Sequence, residues 1–325
     1  DSAADDEPTF AREVRDDQLR LFFTCCHPAI PRAQQIALTL KTVGGFSTAE
    51  IARAFLANES AIAQRLVRAK RRLKESGVEL RMPPPDELAE RLDPVLEVLY
   101  LMFNEGYSAH QGEDLVRTDL CHEAIRLVTL LASHEVIDVP RVCALAALLC
   151  FQAARLSTRV DAAGDLLLLA EQDRSQWDRQ MLRLGLQMME RSATGGEISS
   201  YHLQAEIAAC HALAPSFEAT DWRQILTSYD ELLEIEPSPV IALNRTIALA
   251  LVGGAETALA ALGEIDKSPA LRRYYPLYAT RGELLRLLGR AEESVESYRL
   301  ALELAGSAPV RRFLQQRIDE AIGSG

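Results

Sequence analysis

The commonest short signatures of enzyme chemistry are missing from this 325-residue chain. It has no glycine-rich phosphate loop, no GxSxG nucleophile elbow and no HExxH zinc helix. Its six cysteines (Cys25, Cys26, Cys121, Cys143, Cys150 and Cys210) form no CxxC pair and no disulfide framework, so reduced thiols are expected. The longest apolar run, Val142 to Ala154, is short for a membrane span and carries Gln152 near its end. No signal peptide opens the chain. These absences predict a soluble, cytoplasmic protein that is not an enzyme and holds no cofactor and no metal. The first residue is Asp1 rather than Met, which predicts a fragment of something longer or a trimmed chain.

What is present is charge, unevenly spread. The formal net charge is -12, which as a whole repels nucleic acid. Residues 1–18 hold seven acids and two bases, residues 19–82 hold eleven bases and four acids, and residues 83–325 hold 22 bases and 36 acids. Only the second segment can meet a phosphate backbone favourably. Leu, Ala, Glu and Arg dominate while aromatics are 6%, so the expected fold class is all-α.

Punctuation along the chain divides it into four parts: an acidic linker at 1–17, a basic helical module at 18–82, a helical middle domain at 83–195 and a repeat domain at 196–325. Pro83-Pro84-Pro85 should stop a helix and form an extended spacer, with Asp86 as N-cap of a long helix towards Asn104. Arg141 to Leu156 is apolar nearly all round, as a buried central helix is. In the last part Tyr229, Leu262 and Tyr298 recur at intervals of 33 and 36 residues. Gly282, Leu285, Gly289, Ser294, Tyr298 and Ala301 fit a tetratricopeptide spacing, in which small residues admit a neighbouring helix and large ones fill the groove. A generic array of helical hairpins fits nearly as well.

The most specific stretch is GGFSTAEIARAFLANESAIAQRLVRAKRRL, from Gly44 to Leu73. Ser47 with Glu50 forms a capping box that opens a helix over Thr48 to Phe55, with Ile51, Ala52 and Phe55 inward. Leu56 to Glu59 is the turn, and Ser60 opens the second helix. Its apolar stripe, Ile62, Leu66, Ala69 and Leu73, packs inward. Gln64, Arg68 and Arg71 point the other way, with Arg65 and Arg72 on one edge and Lys70 and Lys74 on the other. One packed stripe with cations around the rest is what insertion into a major groove needs. A solvated basic helix on an ordinary bundle is the plainer alternative.

These residues resemble region four of bacterial sigma factors of the extracytoplasmic-function type. Gly45, Phe46, Ser47, Glu50-Ile51-Ala52 and Arg65-Leu66-Val67-Arg68-Ala69-Lys70 carry the resemblance. The strings TCCHPAIP, LMFNEGYSA, DLCHEAIRL, QDRSQWDR, IAACHALAP and SPVIALNR extend it, from Asp17 onward, to the subgroup with a C-terminal extension of tetratricopeptide-like repeats. The resemblance implies that the second helix reads the promoter -35 element and that the module docks on the RNA polymerase β-flap. The implied DNA-binding residues are Ser60, Ala61, Gln64, Arg65, Arg68, Lys70 and Arg71. The family often has Gly-Thr-Val-Lys-Ser before Arg-Leu where this chain has Ser60-Ala61-Ile62-Ala63-Gln64, so base preference does not carry over. Region two, which melts the -10 element, does not fit in seventeen acidic residues, and the chain is expected to lack it.

The remaining candidates have plain readings. Cys25-Cys26-His27 is a packed turn before Pro28 rather than a metal site. Cys121-His122-Glu123 on a helix points three ways, and Asp161, Asp165 and Asp173 lack calcium-loop spacing. Arg159, Asp161, Gln172, Asp173, Arg174 and Trp177 make either a buried polar network or ligand pocket, or a capped loop joining two helices. The repeats offer a surface for a protein partner, and no membrane partner is expected. The charge split predicts that the acidic body restrains DNA binding. Two other function classes stand beside the sigma-factor reading: a repeat scaffold with a vestigial helix-turn-helix, and an enzyme with a pocket within 104–178.

Overall fold

The computed structural model describes residues 9–54, 57–107, 118–134, 137, 139–196 and 198–323. Among them the chain is all-α, with fifteen α-helices, three short 3-10 turns and no strand beyond an isolated Val160–Leu166 bridge. The contacts divide it into two compact units. Unit 1 is 1–106 with 119–146, and unit 2 is 107–118 with 147–325. The sequence boundary at 82/83 therefore falls inside unit 1, and that at 195/196 inside unit 2.

Unit 1 opens with α1 (Thr9–Cys25). Part of the expected linker is thus helical, and residues 1–8 lie outside the described residues. The reason is that Leu19, Phe22 and Phe23 are fully buried and anchor the helix. Extending an anchored helix backwards through Ala, Arg and Glu needs no new nucleus. Next come α2 (Arg32–Thr42), α3 (Thr48–Ala54) and α4 (Glu59–Glu75), with α4 packed on both α2 and α3.

The connection from Ser76 to Pro84 is non-helical, as the proline run predicts, but it is partly packed rather than free. Pro83 is buried, and Ser76 to Glu79 and Arg81 line a polar recess of about 460 Å³ with His27 and Arg91. The following helix, α5 (Pro85–Tyr107), starts two residues earlier than an Asp86 cap would allow. Proline suits a first helical position because its missing N–H is one of the unpaired donors there. Two links tie α5 and α6 (Thr118–Ala132) to the first helices. Arg32 Nε donates to Glu97 at 2.8 Å, and Arg126 Nη2 donates to Gln18 Oε1 at 3.0 Å.

The division between units falls within α7 (Pro140–Ala153), whose residues from Val142 to Phe151 are all buried. The run Pro140–Thr158 is long and apolar enough to cross a membrane by composition, longer than the run read from sequence. Its apolar window is 78% buried within the protein, as in a core helix. In unit 2, α8 (Arg179–Ser192) presses Gly185 against Phe151; a Cβ there would lie 2.8 Å from the ring. Then follow α9 (Ser200–Leu213), α10 (Trp222–Ile235), α11 (Pro239–Gly253), α12 (Ala255–Ile265), α13 (Tyr275–Leu287), α14 (Ala291–Leu304) and α15 (Ala308–Gly323). From α9 onward each helix packs chiefly on its chain neighbours. That is the quasi-linear stacking of a helical array.

Candidate nucleic-acid interface

The interface is built on α2, α3 and α4. The chain leaves α2 through Gly44 and Gly45, the latter at φ +70°, where side chains are strained. The turn lets the Phe46 amide donate to the Leu40 carbonyl at 3.0 Å while the Phe46 ring is buried. The expected capping box forms: Ser47 N donates to Glu50 Oε2 at 2.7 Å, and Glu50 N donates to Ser47 Oγ at 3.1 Å. It fixes the entry of α3, whose Ile51 and Ala52 are buried; Phe55 lies outside the described residues.

The second helix begins one residue before the expected start. Asn58 rather than Ser60 closes its N-terminus, with its Oδ1 accepting from the Ala61 amide at 2.8 Å and from Ser60 Oγ at 2.9 Å. Asn58 has the extended backbone of a cap, and its side chain accepts from the donor that a helix start leaves open. Asparagine ahead of the stripe was a legible signal; Glu59 in the first turn obscured it. The stripe behaves as read. Ile62, Leu66 and Ala69 are buried, and Leu73 packs against a cluster of Cys25, Ile30, Leu38 and Ala69.

The outward face carries Ser60, Gln64, Arg68, Lys70 and Arg71, all exposed, while Ala61 and Arg65 are half-buried at its edges. Arg68 Nη2 donates to Gln64 Oε1 at 3.1 Å, one turn back. Arg71 pairs loosely with Glu75 at 3.7 Å. Sequence reasoning missed Val67, which is 68% exposed between Gln64 and Arg71. An exposed apolar side chain on that face is suited to touching a thymine methyl. The helix thus offers amide, hydroxyl, apolar and guanidinium groups on one side, as base-edge and phosphate contact requires.

The cysteine and carboxylate candidates resolve as structure. Cys25 and Cys26 are buried, and burial pushes their thiols up to about 11 and about 12. Among the described residues no group of His, Cys, Asp and Glu could hold a metal. Cys121 is buried with its Sγ 3.7 Å from the Phe103 carbonyl, His122 is exposed, and Glu123 pairs with Arg126. In the polar string of unit 2, Asp161 and Asp173 cap turns at the surface, whereas Arg159, Gln172 and Trp177 are buried.

Comparison with known proteins places these elements in context. Residues 23–73 match the family model for sigma-70, region 4. Residues 91–193 match a family of unknown function, DUF6596. The chain is 42% identical over 305 residues to the Uncharacterized protein R00370 of Rhizobium meliloti (strain 1021), covering 94% of this chain and 71% of that protein.

Proposed function

We propose that this chain, which belongs to one family with the Rhizobium meliloti protein and carries a sigma-70 region 4 domain, is the promoter-reading part of a cytoplasmic extracytoplasmic-function sigma factor. In this reading α4 enters the major groove of the -35 element. Ser60, Ala61, Gln64 and Arg65 meet the bases and nearest phosphates, and Arg68, Lys70 and Arg71 hold the backbone. The same module docks on the β-flap of RNA polymerase, and the helices of unit 2 form a tetratricopeptide-like extension that regulates it or binds a protein partner. The observation that carries the reading is the outward cationic face of a capped, packed second helix within the matched domain.

The test uses the full chain and a fluorescent -35 duplex across a salt series. Replacing Arg65, Arg68 and Arg71 together by Gln should flatten the slope of log affinity against log salt by about three, since each phosphate contact contributes roughly 0.9. Unchanged binding in a variant that retains wild-type helix content would sink the reading.

A second reading, a helical-repeat interaction scaffold with a vestigial helix-turn-helix, draws support from α11. There Val240, Ile247 and Leu251 are exposed on one face. It expects no salt-dependent duplex binding by the unaltered chain.

A further inference from the structure

Unit 2 contains cations and N–H donors that the DNA reading does not use. Arg174 lies in a 3-10 turn, and its Nη1 donates to the carbonyls of His211 at 2.6 Å and Ala214 at 2.9 Å, at the end of α9. Its guanidinium carbon stands 4.7 Å from the centre of the Trp177 ring. Arg155 reaches Gln152 Oε1 at 3.3 Å and stands 5.5 Å from the centre of the Tyr107 ring, over which the buried Arg159 also stacks at 3.7 Å. Among the described residues neither Arg155 nor Arg174 has a carboxylate at ion-pair distance, although both are at least partly buried.

The Asp178 amide donates to the Ala154 carbonyl at 2.8 Å, and the 3-10 turn Leu156–Thr158 packs on the turn Arg174–Gln176, which holds Arg155 beside Arg174 and Trp177. Burial first, then the charge of Arg155, lowers the pKa of Arg174; the exposed Glu218 opposes this only partly. Burial, then Arg155 and Arg174, pushes His211 down to about 4. Three polar atoms of the group are buried without a hydrogen-bond partner: Arg174 Nη2, Trp177 Nε1 and His211 Nδ1. Like charges held together beside unpaired donors are unfavourable unless a further acceptor joins them. A group with such charges and such donors selects an anion.

We propose that Arg155, Arg174 and Trp177 form a binding site for a small phosphate-type oxyanion, either the free ion or the head of a phosphomonoester. Arg174 Nη1 is already engaged by two carbonyls, so its end-on Nη1/Nη2 fork is closed and Nη2 is the buried donor left without a partner. With Arg155 and the indole N–H, the donors come from three side chains, which suits the several acceptor oxygens of a tetrahedral anion. The site lies within the stretch that matches DUF6596 and does not depend on the DNA reading.

The experiment titrates the full chain with inorganic phosphate at constant ionic strength against chloride, reading the unfolding temperature and the titration of His211 by NMR, assigned with His211→Gln. The expected results are a saturable rise in unfolding temperature and an upward move of the His211 pKa, because a bound anion offsets both arginines. Arg155→Gln should weaken phosphate at least tenfold. Without phosphate it should leave the unfolding temperature unchanged or raised, since a repelling neighbour is gone. A parallel titration with glycerol phosphate assigns the source: tighter binding than phosphate points to a phosphomonoester, weaker binding to the free ion. The proposal is overturned if phosphate does no more than chloride. It is overturned equally if Arg155→Gln binds phosphate as the unaltered chain does, or if His211 titrates unchanged under saturating phosphate.

Discussion

At the scale of single residues, Gly282 is the clearest case of a side chain excluded by its neighbour. A Cβ at that position would lie 2.9 Å from Cδ1 of Tyr298, which is buried. Ser294 Oγ donates to the Gly282 carbonyl at 2.8 Å, and Tyr298 Oη donates to Glu283 at 2.8 Å. The small-and-large spacing read from the sequence therefore corresponds to a real close approach of α13 and α14. Gly282→Ala should destabilise unit 2 by about 1–3 kcal/mol through overpacking, measured as a lowered urea midpoint of the full chain. A neutral result would mean that Tyr298 turns aside freely. The buried polar residues of unit 2 were harder to read. Arg174 and the His211 carbonyl that it bonds are 37 positions apart in sequence, and nothing in their spacing announces that they meet.

At the scale of elements, the two helices of the reading head were legible because their caps are local. Ser47 and Glu50 are three residues apart, and each satisfies the other's backbone amide. The start of α4 was misplaced because Asn58, Glu59 and Ser60 are all acceptable near a helix start, and only the backbone conformation selects among them. Asn58→Ala should cost about 1 kcal/mol, seen as roughly fivefold faster hydrogen exchange at the Ala61 amide. Exchange that stays at the native rate would assign the cap elsewhere. The position of α1 shows the complementary failure. Residues 9–17 have no strong apolar period of their own, and their helix follows from the anchored turns after them.

At the scale of the whole molecule, the triple proline marks a change of element without separating compact units. Residues 19–82 hold the excess of positive charge, yet unit 1 runs on through α5 and α6. Arg32–Glu97 and Gln18–Arg126 cross the proline boundary. A chain ended after Met82 should therefore lose much of the stability of the reading head. Its urea midpoint, followed by helix circular dichroism, is expected below that of the same helices in the full chain. Equal midpoints would restore 18–82 as an independent domain. It follows that any restraint of DNA binding by the acidic part is better tested by neutralising acids in unit 2 than by a cut after Met82.

The sequence by itself determined the all-α class, the helix-turn-helix and the cationic face, because helical period, capping boxes and charge runs are written within a few residues of one another. It also carried the sigma region 4 pattern over 23–73. Only the tertiary structure decided that Ser76 to Glu79 and Arg81 share a polar recess with His27 and Arg91 and that α5 and α6 complete the unit holding α4. It alone brought Arg155, Arg174, Trp177 and His211 into one group. Those outcomes depend on which distant surfaces exclude water together, and burial between remote segments leaves no periodic mark on either one.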